Sequence, residues 1–234
     1  MAEPKKKLTG SDRRESIIKA ARPLFAQYGF QGASIRKIAK AAGVSEALLY
    51  QHFPGKDELY REILRYGTDV SMVFTEGLDQ FQPGAEYLSA VVYLTFRLIL
   101  TEIPKYREAQ YWHERLLFQS LLGDGAYAGP HFENLINKLR EPLELHIRAA
   151  EADGDLVRLN VAPTNRFWFV HHLAMALNLC HLSGSSIFPY EGSKADLLQE
   201  AVLFSLRGLG LTDGALERCC EWERLEAFYL SIYG

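Results

Sequence analysis

In the stretch IRKIAKAAGVSEALLYQHFPGKDEL, residues 35–59, the side chains able to do chemistry are hydrogen-bonding groups: Glu46, Tyr50, Gln51, His52 and Lys56, with Ser45 among them and Ser34 just ahead. Groups of this kind suit the holding of a polyanion and the reading of base edges. A glutamine can bond an adenine edge bidentately, and a carboxylate can accept from a cytosine amino group. Serines at helix starts place backbone N–H groups and the positive dipole end where an anion is welcome. Tyr50, His52 and Lys56 add side-chain donors of the sort that grip phosphates. Ala47 falls between Glu46 and the Tyr50–Gln51 pair, so Glu46, Ala47, Tyr50 and Gln51 share one outward face of a short helix.

Elsewhere the chain offers aromatics with a few polar groups among them. YWHERLLF (111–118) and FWFVHHLAMALN (167–178) single out Trp112, Arg115, Trp168, His172 and Asn178 as candidate ligand-binding residues, since a small hydrophobic or aromatic molecule needs an apolar cavity with sparse polar contacts. His171 and His172 are adjacent and diverge by about 100° on a helix, so they do not make an i, i+4 metal pair. The three cysteines, Cys180, Cys219 and Cys220, have neither disulfide-framework nor metal-ligand spacing. The sequence contains no phosphate loop, nucleophile elbow or partnered carboxylate pair, so it predicts no enzyme, no metal and no cofactor.

The charge is unevenly distributed. Residues 1–60 carry 11 Lys and Arg against 6 Asp and Glu, and the remainder 15 against 23. A basic end on an acidic body points to contact with a polyanion through the first part alone. No apolar run follows Lys5-Lys6-Lys7, and no window reaches the roughly 18 apolar residues that span a bilayer, so the expected location is the cytoplasm.

These residues need helices to position them. Ser11 or Asp12 is a candidate cap for a first helix with Ile17, Ala21, Leu24 or Phe25, and Tyr28 at helical spacing, ended by Gly29. Ser34 caps a second with Ile35, Ile38, Ala39 and Ala42, closed by Gly43. Ser45 caps a third, with Leu49 and Phe53 inward, broken at Pro54-Gly55. Ala39 and Gly43 permit the close approach and tight turn of a helix-turn-helix, with Val44 and Leu49 locking the two helices together. Longer helical periodicity follows over 56–80, 84–102, 104–122, 130–153, 163–183, 194–209 and 213–231. The prediction is an all-α chain of about ten helices: a basic arm at 1–10, disordered, a helix-turn-helix domain at 11–57, and a larger helical bundle at 58–234. Lys5-Lys6-Lys7 is either a solvated tail or an arm for an adjacent minor groove.

The segment SIRKIAKAAGVSEALLYQHFPGKDELY, with its pattern AxxxGVSxxxLYxHFxxKxxL, resembles the DNA-binding domain of the TetR/AcrR family of bacterial transcriptional regulators over about residues 12–64. The resemblance implies a homodimer on a palindromic operator, usually a repressor, released when a small molecule fills the C-terminal domain. By position, Ser34, Ser45, Tyr50, His52 and Lys56 resemble backbone contacts, and Glu46, Ala47 and Gln51 fall where base contacts lie. The family's dimer helices would fall at 163–183 and 194–209. There Ala195, Leu198, Ala201, Val202, Ser205 and Leu206 form a stripe that suits either dimer contact or intramolecular packing. Glu46, where the family often has Lys, Arg or Pro, and Leu48, where a small or polar residue is common, depart from the pattern; Glu46 either accepts from a cytosine amino group or favours the helix dipole while repelling phosphate. Leu48 either touches a thymine methyl or packs inward beside Leu49. The alternative to a small effector is a protein partner docked on the bundle.

Overall fold

The computed structural model describes residues 9–63, 77–103, 107–123, 125–181 and 188–234. The basic arm, apart from Thr9 and Gly10, lies outside them. Helix α1 (Gly10–Gly32) starts earlier than expected. Thr9 is its cap, and Asp12 closes a reciprocal box by accepting from the Thr9 N–H, so Asp12 serves as the third helical residue rather than as the cap. Gly29, at φ 66° and ψ 179°, breaks the regular helix where the sequence predicts an end. Then come α2 (Ile35–Ala42), α3 (Glu46–His52) and α4, described over 56–63.

The helix expected to run to residue 80 does not reach it: residues 64–76 lie outside the description, and 77–80 form a left-handed Gly77 followed by a single 3-10 turn, Leu78–Gln80. Phe228 packs close against Gly77 at the site of a would-be Cβ, which favours a glycine turn there over a continuing helix. Beyond it lie α5 (Ala85–Leu100), α6 (Arg107–Leu122), α7 (Ala128–Ala152), α8 (Pro163–His181) and α9 (Lys194–Leu209).

The segment expected as one helix over 213–231 is two, α10 (Asp213–Cys219) and α11 (Trp222–Tyr233). The backbone leaves helical geometry at Cys220 (φ −90°, ψ 51°), a break that no glycine or proline announces. Among the described residues there is no strand, only an isolated bridge between Leu156 and Leu211.

The chain forms two compact units. The first gathers residues 1–71 and 108–132. Its core is built from Ile17, Ala21 and Phe25 of α1, Ile38 of α2, Leu49 of α3, and Phe53 and Leu59, all essentially inaccessible.

The second unit gathers 72–107 and 133–234. Helix α5 is its axis, buried almost continuously from Ala85 to Phe96, and α8, α9, α10 and α11 all contact it. Leu198, Ala201, Val202, Ser205 and Leu206 of the α9 stripe are buried within this unit, while Ala195 is exposed. The stripe is therefore intramolecular. Arg166 of α8, 5% exposed, ties the loop before its own helix to the end of α9 by donating to the carbonyls of Leu159 (2.8 Å), Val161 (3.1 Å) and Leu209 (3.5 Å), with Glu151 beside it. Helix α11 is fixed to α5 by Glu226, which accepts from the Tyr93 hydroxyl and from Arg97 Nε at 2.9 Å.

Candidate nucleic-acid interface

The turn between α2 and α3 is built from local chemistry. Ser34 Oγ accepts from Lys37 N at 3.3 Å, and Ser45 Oγ from Leu48 N at 3.1 Å, so each helix start has a satisfied orphan donor. Gly43 sits in the left-handed region (φ 65°, ψ 32°); its N–H reaches Lys40 O and the Val44 N–H reaches Ala39 O at 3.0 Å, a paired C-terminal closure. This three-residue turn, Gly43 to Ser45, aims α3 directly after α2. Helix α3 has seven residues, a rod of about 10 Å, enough to lie across a groove.

Leu49 and Phe53 are wholly buried, whereas Ser34, Ser45, Glu46, Ala47, Tyr50 and Gln51 are exposed, Tyr50 at 48%. The structure thus brings the predicted reading residues onto one outward face. Leu48 and Val44 are half-buried. Glu46 stands in the first turn of α3, where a carboxylate is favoured by the helix dipole. His52 is half-buried and its carbonyl is taken by Arg14.

Two features were not visible in the sequence. Arg14 donates from Nη1 to His52 O at 2.8 Å, stacks its guanidinium 4.3 Å from the Phe53 ring centroid and pairs with Glu62 at 3.3 Å. One arginine on α1 therefore sets the end of α3 and meets α4. The ammonium of Lys56 lies 4.4 Å from the centroid of Phe30, and that of Lys37 lies 4.4 Å from Tyr28, so both cations are held over aromatic faces. Nothing in their spacing distinguishes Arg14 or Lys37 from ordinary surface residues.

The candidate ligand residues fall in separate units. On α6, in the first unit, Tyr111 lies edge-on to Trp112 at 4.7 Å and under Arg115 at 4.8 Å; Arg115 Nε is buried with no hydrogen-bond partner among the described residues. On α8, in the second unit, Trp168 stacks on His172 at 5.8 Å, and Asn178, half-buried, stands farther along the helix. His172 is on the outward face of α8 with Phe169, Ala176 and Leu179. The described residues hold no cluster of three or more His, Cys, Asp or Glu fit for a metal, and none of their helices is long and apolar enough to cross a membrane.

Residues 17–63 match the model of the bacterial regulatory proteins, tetR family. Over this segment, α1 to the described part of α4, the chain is similar to the tetR family. The chain is 40% identical over 60 residues to the HTH-type transcriptional regulator RutR of Escherichia coli K12, a match covering 26% of this chain and 28% of RutR. It therefore spans little more than a quarter of that relative's length, and RutR's own activity stays with RutR. Likeness to solved structures is wider and concerns the fold. A TetR family transcriptional regulator from Pseudomonas syringae pv. tomato superposes with a TM-score of 0.55 at 24% identity, over 86% of this chain and 97% of that one. AibR, in complex with isovaleryl coenzyme A and operator DNA, superposes at 0.58 and 20% identity, over 85% and 98%. The described residues are thus all-helical, with an N-terminal helix-turn-helix.

Proposed function

We propose that this chain is a transcriptional regulator that binds a palindromic operator as a homodimer, acts in the cytoplasm, usually represses, and is released by a small hydrophobic or aromatic molecule. The observation that carries the reading is the split of α3 into a buried side, Leu49, and an exposed side, Glu46, Ala47, Tyr50 and Gln51. Such a face enters a major groove with Gln51 and Glu46 at base edges, while Ser34, Ser45, Tyr50, His52 and Lys56 hold phosphates.

One short reading helix covers few base pairs, and two of them about 34–36 Å apart multiply the specificity. A second copy has a surface to meet. Phe169 on α8 and Phe204 on α9 are 64% and 70% exposed, a costly arrangement for a monomer in water. The labour divides near residue 57, with reading in 11–57 and effector and dimer functions in 58–234, although the structural units cross that line at 108–132. A structure of the same fold holding both a coenzyme A thioester and operator DNA, that of AibR, supports the effector reading by analogy. Trp112, Arg115, Trp168, His172 and Asn178 remain the proposed effector residues. Release is a population shift, driven by the effector's preference for a conformation with misplaced reading helices.

The test is a gel shift on DNA upstream of the chain's own gene against a scrambled fragment, followed by selection from a random DNA library, with Tyr50→Ala alongside. Selective binding that Tyr50→Ala loses supports the reading. A folded protein that selects no DNA from the library refutes it.

A further inference from the structure

A cavity of about 390 Å³ opens inside the first unit where the end of α1 meets the end of α6. Tyr28, Phe30 and Gln31 of α1, Tyr60 of α4, and Gln119 and Ser120 of α6 wall it. The two helix ends are close: a Cβ on Gly29 would stand 3.8 Å from Gln119 Oε1.

The aromatic wall is firmly backed. Phe30 and Tyr60 are 5.0 Å apart, and Tyr60 lies 4.9 Å from Phe25, which is fully buried. On the polar side, Ser120 is only 3% exposed; its Oγ accepts from Tyr127 N at 2.9 Å and Ala128 N at 3.0 Å, and its own proton has no acceptor among the described residues. Gln31 and Gln119 add exposed amides. The Lys37 and Lys56 ammoniums stand over the Tyr28 and Phe30 rings, close to the cavity without walling it. The volume is within the range of small-molecule sites, and aromatic walls with a few converging polar groups are their usual chemistry.

We propose that this cavity binds a small aromatic carboxylate, its ring against Tyr28 and Phe30, its carboxylate toward Lys37 and Lys56, and its edge within reach of Ser120 and the two glutamine amides. The site is distinct from the proposed effector residues. It deepens the regulatory reading at one point, because Lys56 is also a proposed phosphate contact. A carboxylate held there neutralises charge that DNA needs, so occupancy lowers operator affinity.

The test is titration calorimetry of the full chain with 2-naphthoate, and with uncharged 2-naphthamide as control. The expected result is saturable 2-naphthoate binding, weakened by about tenfold or more in both Gln119→Trp, which fills the cavity, and Tyr28→Ala, which removes a wall. Both positions are exposed, and a circular-dichroism melt verifies each variant's fold. Lys37→Ala should weaken 2-naphthoate and leave 2-naphthamide unchanged. Absence of saturable binding at millimolar ligand, equal affinity in wild type and both variants, or equal binding of the amide overturns the site. In a gel shift on the selected operator, 2-naphthoate should weaken binding by wild type and not by Gln119→Trp; equal weakening of both overturns the link to DNA. If no DNA is selected, the regulator reading fails on its own while calorimetry still decides the cavity.

Discussion

At the scale of single residues, the proposed interface separates side chains proposed to read DNA from side chains that position α3. Gln51 is exposed on the outward face, so Gln51→Ala should relax base preference at a cost of roughly 1–3 kcal/mol if its contact is bidentate. Binding-site selection with the variant checks this, and equal losses on all sequences would give Gln51 a backbone role instead. Arg14 positions α3. Arg14→Ala removes a hydrogen bond, a stacking contact and an ion pair around His52, Phe53 and Glu62, and should lower stability by about 1–3 kcal/mol. Urea unfolding measures it, and Arg14→Lys should recover little because an ammonium lacks the planar fork. Two histidines add a pH dependence. His113 and His131 lie 4.8 Å apart in the first unit, and His113 bonds the Tyr127 hydroxyl. Burial, reinforced by His131, pushes His113 down to about 3, and burial alone pushes His131 down to about 4. The unfolded chain therefore binds more protons below pH 6.5. This stability is complete above that pH and is lost as pH falls toward 4, by about 2 kcal/mol per histidine at pH 5. Urea midpoints at pH 7.5 and 5 should differ less in His131→Phe than in wild type.

At the scale of elements, what could be read in advance was whatever the chain decides locally. The caps at Ser34 and Ser45 and the left-handed Gly43 were legible because each depends on neighbours three or four residues away. Gly43→Ala forces a Cβ into φ +65° and should cost about 1–2 kcal/mol. It should also re-aim α3, so operator affinity should fall more than the melting curve alone suggests. The break at Cys220 was illegible because no backbone-special residue marks it; what the turn secures is the burial of Leu225, Phe228 and Tyr229 of α11. The α9 stripe shows the same limit. Its period was plain, but which face met the chain's own core and which met solvent depends on α5, and no local signal carries that information. Trp112, Arg115 and Trp168 stand out by their chemistry, and chemistry alone does not say into which unit a helix folds.

At the scale of the whole molecule, the exposed pair Phe169 and Phe204 makes association testable. Phe204→Asp alters a residue 70% exposed in the single chain, so the fold should persist while sedimentation shifts from dimer to monomer. Affinity for a palindrome should then fall by more than about tenfold, because the two half-sites are no longer linked; an unchanged mass would place the interface elsewhere. The discontinuity of the first unit also bears on how the protein is made. Its first 71 residues are joined by 108–132, so the ribosome delivers the completing piece only after an intervening stretch that belongs to the other unit. At about 5–20 residues per second, some 3 to 12 seconds separate the synthesis of residue 71 from that of residue 132, and for that interval the first unit is incomplete.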